Sequence, residues 1–512
     1  MAAGRYLIGC DVGTTGTKTL LVDEQGHVLA RSLDEYPLLA PRPGWAEQEA
    51  DDWYRATVQG IRKVVAEAGI RPQDVAGISF SGQMHGSVFL DREGRVIRRP
   101  LLWCDVRTAD EVRAINETVG RARMIDLAGS PAMEGFTAPK VLWLRRHEPG
   151  HFERIATVLL PKDYVRFRLT GERAAEVSDA AGSAMFDIEK GEWSKELLDV
   201  VGLRPEQLPP VLRSVDVAGK LTARAAEETG LVPGIPVVAG GADNACGAVG
   251  AGVVRSGRAH VSIGSSGVVV SFAPVPSRDP GGRVHTFNHA VPGAWYVMGV
   301  MLAAGLSLRW VRDELGQAER AVQEATGIDA YELLTREASR SPAGARGLWF
   351  LPYLNGERTP HADPYARGVW FGLSSAHRRA DLIRAVLEGV AFGLRDSLEV
   401  LQEMGVEVSQ LRAIGGGGKS ALWRQIQADV LGIPLARLNV DEGPAYGAAL
   451  IAGAGVGVWS DVAEAADAVV KVNETIEPDP QRSATYEASY RIFRELYRVL
   501  RPVFEEAASL SS

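Results

Sequence analysis

Two aspartates stand where a carboxylate could do chemistry. Asp243 lies in GGADNACGAVG, directly after the apolar run IPVVA. A carboxylate at the end of a strand, beside a cleft, suits a general base. The same place suits an N-cap, in which aspartate accepts from the first N–H groups of the Ala/Gly helix that follows. The small residues around it, Gly240, Gly241, Ala242 and Ala245, are expected to leave room for a substrate. Asp11 precedes the turn Gly13-Thr14-Thr15-Gly16 by two residues. A carboxylate beside a phosphate-binding turn repels the phosphate unless a cation sits between them. Asp11 therefore suggests a Mg²⁺ site, reached through water because Mg²⁺ keeps several of its waters. Lys18 could neutralise phosphate charge or simply be solvated.

The turn at Gly13 has a second copy. YLIGCDV, GTTG and TKTLLVD at the start of the chain are matched by AHVSI, Gly264-Ser265-Ser266-Gly267 and VVVSF, at an offset of 251 residues in a chain of 512. Each copy reads strand, turn, strand. Glycine lets the backbone approach a ligand closely, and successive N–H groups form an anion-binding nest. Two ordinary hairpins, with glycine needed for the turn alone, would look the same. The copies differ at Asp11, whose counterpart is Ser262. A third glycine cluster, Gly415-Gly416-Gly417-Gly418, follows the run LRAI and precedes a helix beginning near Ser420. Four glycines are costly in chain entropy, and a turn needs one or two, so the run favours a flat surface for adenine or ribose. The GxxxxGK[ST] phosphate loop is absent.

Gln83, Met84, His85 and Gly86 form a turn between two apolar runs, and Trp103 and Asp105 follow in LLWCDVRT. Amide, imidazole and carboxylate bond hydroxyls while an indole covers the apolar face of a sugar, so this set suits a polyol. A lone histidine in a turn is also commonly structural. NGERTPH (355–361) is a further polar turn, for which structural ion pairing is the plain reading.

These residues need a scaffold. Residues 50–69 and 380–405 carry helical periodicity, 75–82 and 87–91 read as strands, 235–253 as a strand running into a small-residue helix, and 411–435 as strand, glycine turn, helix, strand. Both halves are thus α/β. No linker separates them, and two domains, 1–240 and 241–512, are expected. Tyr486, Tyr490, Phe493, Tyr497, Leu500 and Phe504 mark one face of a C-terminal helix, which packs on its own domain or forms a homodimer seam. Hydrophobic residues make up 46% and charged residues 23%, an ordinary globular balance that excludes disorder and collagen. The net charge of −8 disfavours nonspecific binding to nucleic acid or anionic membrane. Cys10, Cys104 and Cys246 lack CxxC spacing, so neither a disulfide framework nor a zinc site is expected. With no signal segment and no apolar run near the ~20 residues of a membrane span, a cytoplasmic location is expected.

Longer stretches carry a resemblance. GFTAPKVLWLRRHEP (135–149) and GVWFGLSSAHRRADLIRAVLEG (368–389) resemble the two patterns of the FGGY carbohydrate kinase family. SGQMHG, LLPKDYVRFRLTGE, SDAAG, NGERTPH and GGGGKSALWRQIQADVLG resemble its D-xylulose-acting members, over nearly the whole chain to about residue 460. The resemblance implies an actin-like (RNase H-like) duplicated two-domain α/β kinase with a central cleft, an N-terminal sugar-binding domain and a C-terminal nucleotide-binding domain. It implies ATP- and Mg²⁺-dependent phosphorylation of D-xylulose at O5. Asp243 matches the family's base, which accepts the O5 proton, and Asp11 the acidic residue near Mg²⁺ and the γ-phosphate. Gly13, Thr14, Thr15, Lys18, Gly264, Ser265 and Ser266 fall at the phosphate turns, Gly415 to Gly418 at the adenosine turn. Gln83, Met84, His85, Trp103 and Asp105 fall at the sugar. Cys104 stands where related kinases commonly have Asn, Val106 where they have Gly, Lys419 replaces Arg and Ser265 replaces Thr. A kinase of the family for ribulose, gluconate or glycerol, and a non-catalytic sensor of sugar and ATP, are the alternatives.

Overall fold

Apolar runs closed by glycine turns become the strands of two sheets. In the computed structural model, which describes residues 5–510, the chain forms two compact units. The first takes in residues up to Arg255, Phe272–Tyr296 and Glu442–Lys471; the second takes in Ser256–Ser271, Val297–Asp441 and the chain from Val472.

The first unit holds β1 (Tyr6–Val12), β2 (Gly16–Asp23), β3 (Val28–Glu35), α1 (Ala50–Ala68), β4 (Val75–Gly82), α2 (Thr137–His147), β5 (Val217–Lys220), β6 (Pro236–Val238), β7 (Gly241–Ala242) and α3 (Asp243–Gly250). Its sheet runs β3-β2-β1-β4-β6-β5, with β7 also on β4. The three leading strands form an antiparallel meander, β4 lies parallel to β1, and β6 and β7 lie parallel to β4. The boundary expected at 240/241 falls inside this unit, because β7 extends the same sheet.

The second unit holds β8 (Gly257–Ile263), β9 (Gly267–Ala273), β10 (Trp295–Met301), α4 (Gly305–Leu315), α5 (Arg379–Glu403), β11 (Val408–Ile414), α6 (Ala421–Leu431), β12 (Leu435–Leu438), β13 (Val472–Ile476) and α7 (Pro480–Ser509). Its strands follow the order β10-β9-β8-β11-β12-β13. β8 and β9 are antiparallel, β11 is parallel to β8, β12 is parallel to β11, and β13 is an antiparallel edge. The half-chain repeat is therefore a duplication of one sheet topology, the actin-like arrangement expected.

Helix α1 buries Trp53, Ile61, Val64 and Val65 against β2 and β3, and ends where Gly69 turns left-handed. On β1 and β4 lies the helix Pro444–Gly455. It also crosses α3 so closely that a Cβ on Gly447 would sit 1.8 Å from the Cys246 carbonyl oxygen. Gly447, and Gly250, whose Cβ would lie 2.8 Å from the Gly443 carbonyl oxygen, are thus packing requirements. In the second unit the aromatic face of α7 folds back on α5: Tyr486, Tyr490, Phe493, Tyr497 and Phe504 are buried. Tyr486 donates to Glu388 at 2.8 Å and Tyr490 to Asp396 at 2.6 Å. That face is therefore used within its own unit. Among the described residues no helix is long and apolar enough to cross a membrane.

The close approach at β1 gives a stability test. A Cβ on Gly9 would lie 2.1 Å from the backbone oxygen of Ala445. Gly9→Ala is expected to lower the melting temperature by roughly 4–10 °C. Gly150→Ala, where a Cβ meets nothing within 4 Å, should leave it within about 1 °C. Differential scanning calorimetry of both variants reads the difference.

Candidate active site

Strands β1, β4 and β7 run parallel, with Asp11 opposite Ser81 and Ala242 opposite Gly82. Their carboxyl ends bring Asp11, the Gln83–Gly86 turn and Asp243 to one end of the first sheet, where ligands bind in open α/β sheets.

Asp243 is the first residue of α3, and its N-cap is Ala242. Its Oδ1 accepts from the Asn244 backbone N–H at 2.7 Å and from Asn244 Nδ2 at 2.9 Å. The N-cap reading therefore does not hold: the carboxylate bonds only its neighbour and leaves the remaining N–H groups of the helix start alone. Enclosure by protein and the charge of nearby Asp11 push its pKa up to about 8, against the pull of the Asn244 N–H. The small residues before it do not leave room for substrate. A Cβ on Gly240 would lie 1.9 Å from the Phe80 carbonyl oxygen, and one on Gly241 would lie 3.1 Å from both Cys246 Sγ and Ser178 Oγ. They let β7 press against β4. Below β7 lies a buried charge cluster: Ala242 N donates to Ser178 Oγ, Ser178 Oγ to Glu176 at 2.8 Å, and Lys162 lies 3.2 Å from Asp179.

Asp11 accepts from Ser81 Oγ at 2.8 Å. Burial raises its pKa, while the Ser81 bond and Lys18 hold it down. Lys18 is engaged elsewhere: Nζ lies 2.6 Å from Glu442 Oε2 and donates to the Glu442 carbonyl at 2.9 Å. It is not a free cation for phosphate. Asp11 and Asp243 thus repel one another, offset only in part by Lys18, and no group of three or more His, Cys, Asp or Glu among the described residues could hold a metal. One carboxylate and this excess of negative charge fit a Mg²⁺ ion that arrives on a nucleotide and keeps its waters.

The turn after β1 is buttressed from behind. Tyr36 OH donates to the Gly13 carbonyl at 2.6 Å, Gln48 Nε2 to the Thr14 carbonyl at 2.7 Å, and Trp103 Nε1 to Thr14 Oγ1 at 2.8 Å. Gln83 belongs here and not with the sugar set. It is buried, donates to the Gly13 carbonyl and Gln48, and accepts from Thr14 Oγ1 at 3.2 Å. Thr15 is exposed. Asp105 is fully buried, its carboxylate taken by Arg107 at 2.7 Å and by the Ala46 N–H at 2.6 Å, so it does not reach a sugar.

Met84 and His85 do lie in one turn that connects to Asp243. Met84 Sδ accepts from Asn244 Nδ2 at 3.6 Å and from Tyr296 OH at 3.7 Å, so Asn244 joins Met84 to Asp243. His85 has a left-handed backbone, φ 68°, a conformation costing a non-glycine residue roughly 1–2 kcal/mol. Its ring stacks on Phe136 with centroids 4.2 Å apart, and Nδ1 lies 2.5 Å from the Gly182 carbonyl. Phe287 closes the aromatic cluster at 6.3 Å from both rings. Phe136, Asn244 and Gln48 were not singled out from the sequence; Phe136 lies in the GFTAPK stretch that carries the resemblance.

In the second unit β8 and β11 are parallel neighbours, Ser262 opposite Ile414. Their carboxyl ends present the turns at Gly264 and Gly415 to a cavity of about 920 Å³. Gly264, Ser265, Gly416, Gly417 and Lys419 line it, with Arg309 of α4 and Tyr331. Two of these glycines have no packing role: a Cβ on Gly264 or Gly416 would meet nothing closer than 3.7 Å. Gly417 is different, since a Cβ would lie 2.5 Å from that of Ile263. Ser420 caps α6, accepting from the Trp423 N–H at 3.3 Å. In NGERTPH, the buried Glu357 accepts from the N–H groups of Leu302 and Arg358 at 2.9 and 2.7 Å, fastening the turn to the backbone after β10.

The chain is similar to known sugar kinases. Residues 6–250 match the N-terminal domain of the FGGY family of carbohydrate kinases and residues 259–456 its C-terminal domain. A xylulose kinase from Bacillus subtilis is 40% identical over 493 residues, covering 96% of this chain and 97% of the relative. A xylulose kinase from Escherichia coli is 39% identical over 497 residues, covering 97% and 99%. The crystal structure of xylulose kinase from Rhodospirillum rubrum superposes with a TM-score of 0.89 at 34% identity, covering 98% of this chain and all of that one. Shared sheet topology, full-length similarity and both family domains lead to one assignment: the chain belongs to the FGGY family of carbohydrate kinases.

Proposed function

We propose that this kinase transfers the γ-phosphoryl group of ATP to O5 of D-xylulose, giving D-xylulose 5-phosphate and ADP. The observation that carries the reading is the linkage of Asp243 through Asn244 to the Met84–His85 turn, which sets a base with a pKa near 8 beside a polyol-binding surface. The names of relatives matching nearly end to end supply the sugar.

The first unit supplies the acceptor side. The Met84–His85 turn, with its aromatic support, binds the ketose, and Asp243 takes the proton from O5 as that oxygen attacks phosphorus. A base with a pKa close to the working pH combines a useful ionised fraction with real proton affinity. The second unit supplies the donor side. The cavity between the turns at Gly264 and Gly415 holds the adenosine, with Gly264 and Gly416 letting ligand approach bare backbone. The Gly13 and Gly264 N–H groups close their own turns, to the Gly16 and Ser266 carbonyls, so in each unit the N–H groups inside the turn, at Thr14–Thr15 and at Ser265–Ser266, are the ones for phosphate oxygens. Asp11 is the residue that would hold a Mg²⁺ ion through its waters, and such an ion would supply charge neutralisation to the phosphates. Trp103 and Gln83 act on the first phosphate turn through Thr14.

Three outcomes test this. A coupled ADP-release assay should show D-xylulose as the preferred acceptor over D-ribulose, gluconate and glycerol; preference for another of these would reassign the sugar. Asp243→Asn should lower kcat by about 10²–10⁴ while leaving the sugar KM roughly unchanged, and His85→Ala should raise the sugar KM with kcat largely kept. The third outcome concerns stability. The Asp243 pKa is raised from 3.8 to about 8 by folding, so across that interval the folded state holds a proton that the unfolded state releases. Its contribution to stability therefore falls as pH rises through the interval. The melting temperature of Asp243→Asn should exceed that of the parent by a margin that widens from pH 5 to pH 9. A constant margin would mean the carboxylate is not held against ionisation.

A further inference from the structure

His85 is held in its left-handed backbone from behind. Its carbonyl oxygen accepts from Lys140 Nζ at 2.8 Å and from Thr137 Oγ1 at 3.1 Å, both on α2. Lys140 is completely buried, and Nζ donates a second bond to the Gly135 carbonyl at 2.5 Å. Gly135 is itself fixed: φ is +85°, and a Cβ there would lie 2.0 Å from the Trp103 carbonyl oxygen. The next residue, Phe136, is the one on which the His85 ring stacks. One short stretch, GFTAPK, thus fixes the His85 carbonyl with two donors and its ring with an aromatic face.

A buried lysine is expensive unless it is needed. Burial lowers the Lys140 pKa to about 7, with Asp105 and Cys104 favouring the charged form and Arg107 opposing it. Charged or neutral, the amine keeps at least two N–H donors, enough for both carbonyls. Asp105, which the sequence placed at the sugar, acts here as partial countercharge to Lys140.

We propose that Lys140 is a positioning residue for sugar binding: by fixing the His85 carbonyl to Gly135 it holds the Met84–His85 turn in its binding shape. This rests on the reading of that turn as the sugar site. Without the amine, the His85 carbonyl loses a donor and the left-handed backbone loses its anchor, so the imidazole leaves Phe136 and Gly182. Nucleotide binding does not depend on this turn.

Steady-state kinetics of Lys140→Met, His85→Ala and the double variant test the proposal. Lys140→Met is expected to raise the sugar KM about tenfold, with the ATP KM within about twofold and kcat within about threefold. In the His85→Ala background the same change should add less than about twofold, because its effect runs through His85. An undiminished effect in that background, or an unchanged sugar KM in Lys140→Met, overturns the proposal. If Lys140→Met does not fold by circular dichroism, Thr137→Val removes the other donor to the same carbonyl and takes its place. A sugar KM raised about threefold and non-additive with His85→Ala supports the proposal, while an unchanged or additive KM overturns it. An unchanged sugar KM in His85→Ala itself would instead overturn the reading of the turn, and this inference with it. A raised KM there but not in Lys140→Met would overturn the inference alone.

Discussion

Two half-buried carboxylates, one at the end of β1 and one directly after β7, on strands that both pair with β4, set the terms for the rest of the first unit. Asp11 raises the cost of ionising Asp243, and Lys18 offsets the charge of Asp11 only in part, since it is also paired with Glu442. Such a pair is unfavourable in the folded chain by itself and persists only where the surrounding structure over-determines it. The supports are visible. β7 is anchored through Ser178 to the buried Glu176, which also takes a 2.5 Å bond from Ser214. Helix α3 is pinned by glycines and alanines against Pro444–Gly455, a segment two hundred residues away in sequence that joins the same unit. Stability is given up at the strand ends and recovered in the packing beneath them, as is common where a site must hold groups that would rather separate.

Local pattern made much of this legible. The strand-turn-strand repeat, α1 with its glycine stop, and the strand-glycine-helix unit around Gly415 are all short-range signals; the first two appear within a residue or two of their expected places, and the strand before Gly415 starts three residues earlier than expected. The α/β class followed from strands and helices legible in both halves, and the duplicated actin-like arrangement was what the family resemblance implied, in agreement with the repeat. What local pattern could not supply was the partner of each polar side chain. Lys18 reads as a cation near a phosphate turn until Glu442, 424 residues on, is seen beside it. Asp105 reads as a sugar ligand until Arg107 and the Ala46 N–H take its oxygens. Gln83 reads as part of the sugar turn, yet a strand end fans its residues, so Gln83 points to Gly13 while Met84 points to Tyr296. The glycines before Asp243 look like space for a ligand because sequence cannot distinguish a glycine that faces emptiness from one that faces another backbone.

That distinction separates the glycines of the two duplicated turns by role. At Gly16 and Gly267 a Cβ would collide with protein within 3 Å, so glycine there serves the sheet. At Gly264 and Gly416 the space is open and φ lies outside the left-handed region, so neither sterics nor torsion demands glycine. Both of these open positions line the cavity of the second unit, and the second copy is also the one that carries Ser262 in place of Asp11. The two changes fit together. A turn without a carboxylate beneath it can take negative charge directly on bare N–H groups, whereas the turn above Asp11 needs a cation for the same anion. Duplication thus supplied two equivalent turns, and one position separates their electrostatics: a carboxylate precedes the first turn where a hydroxyl precedes the second.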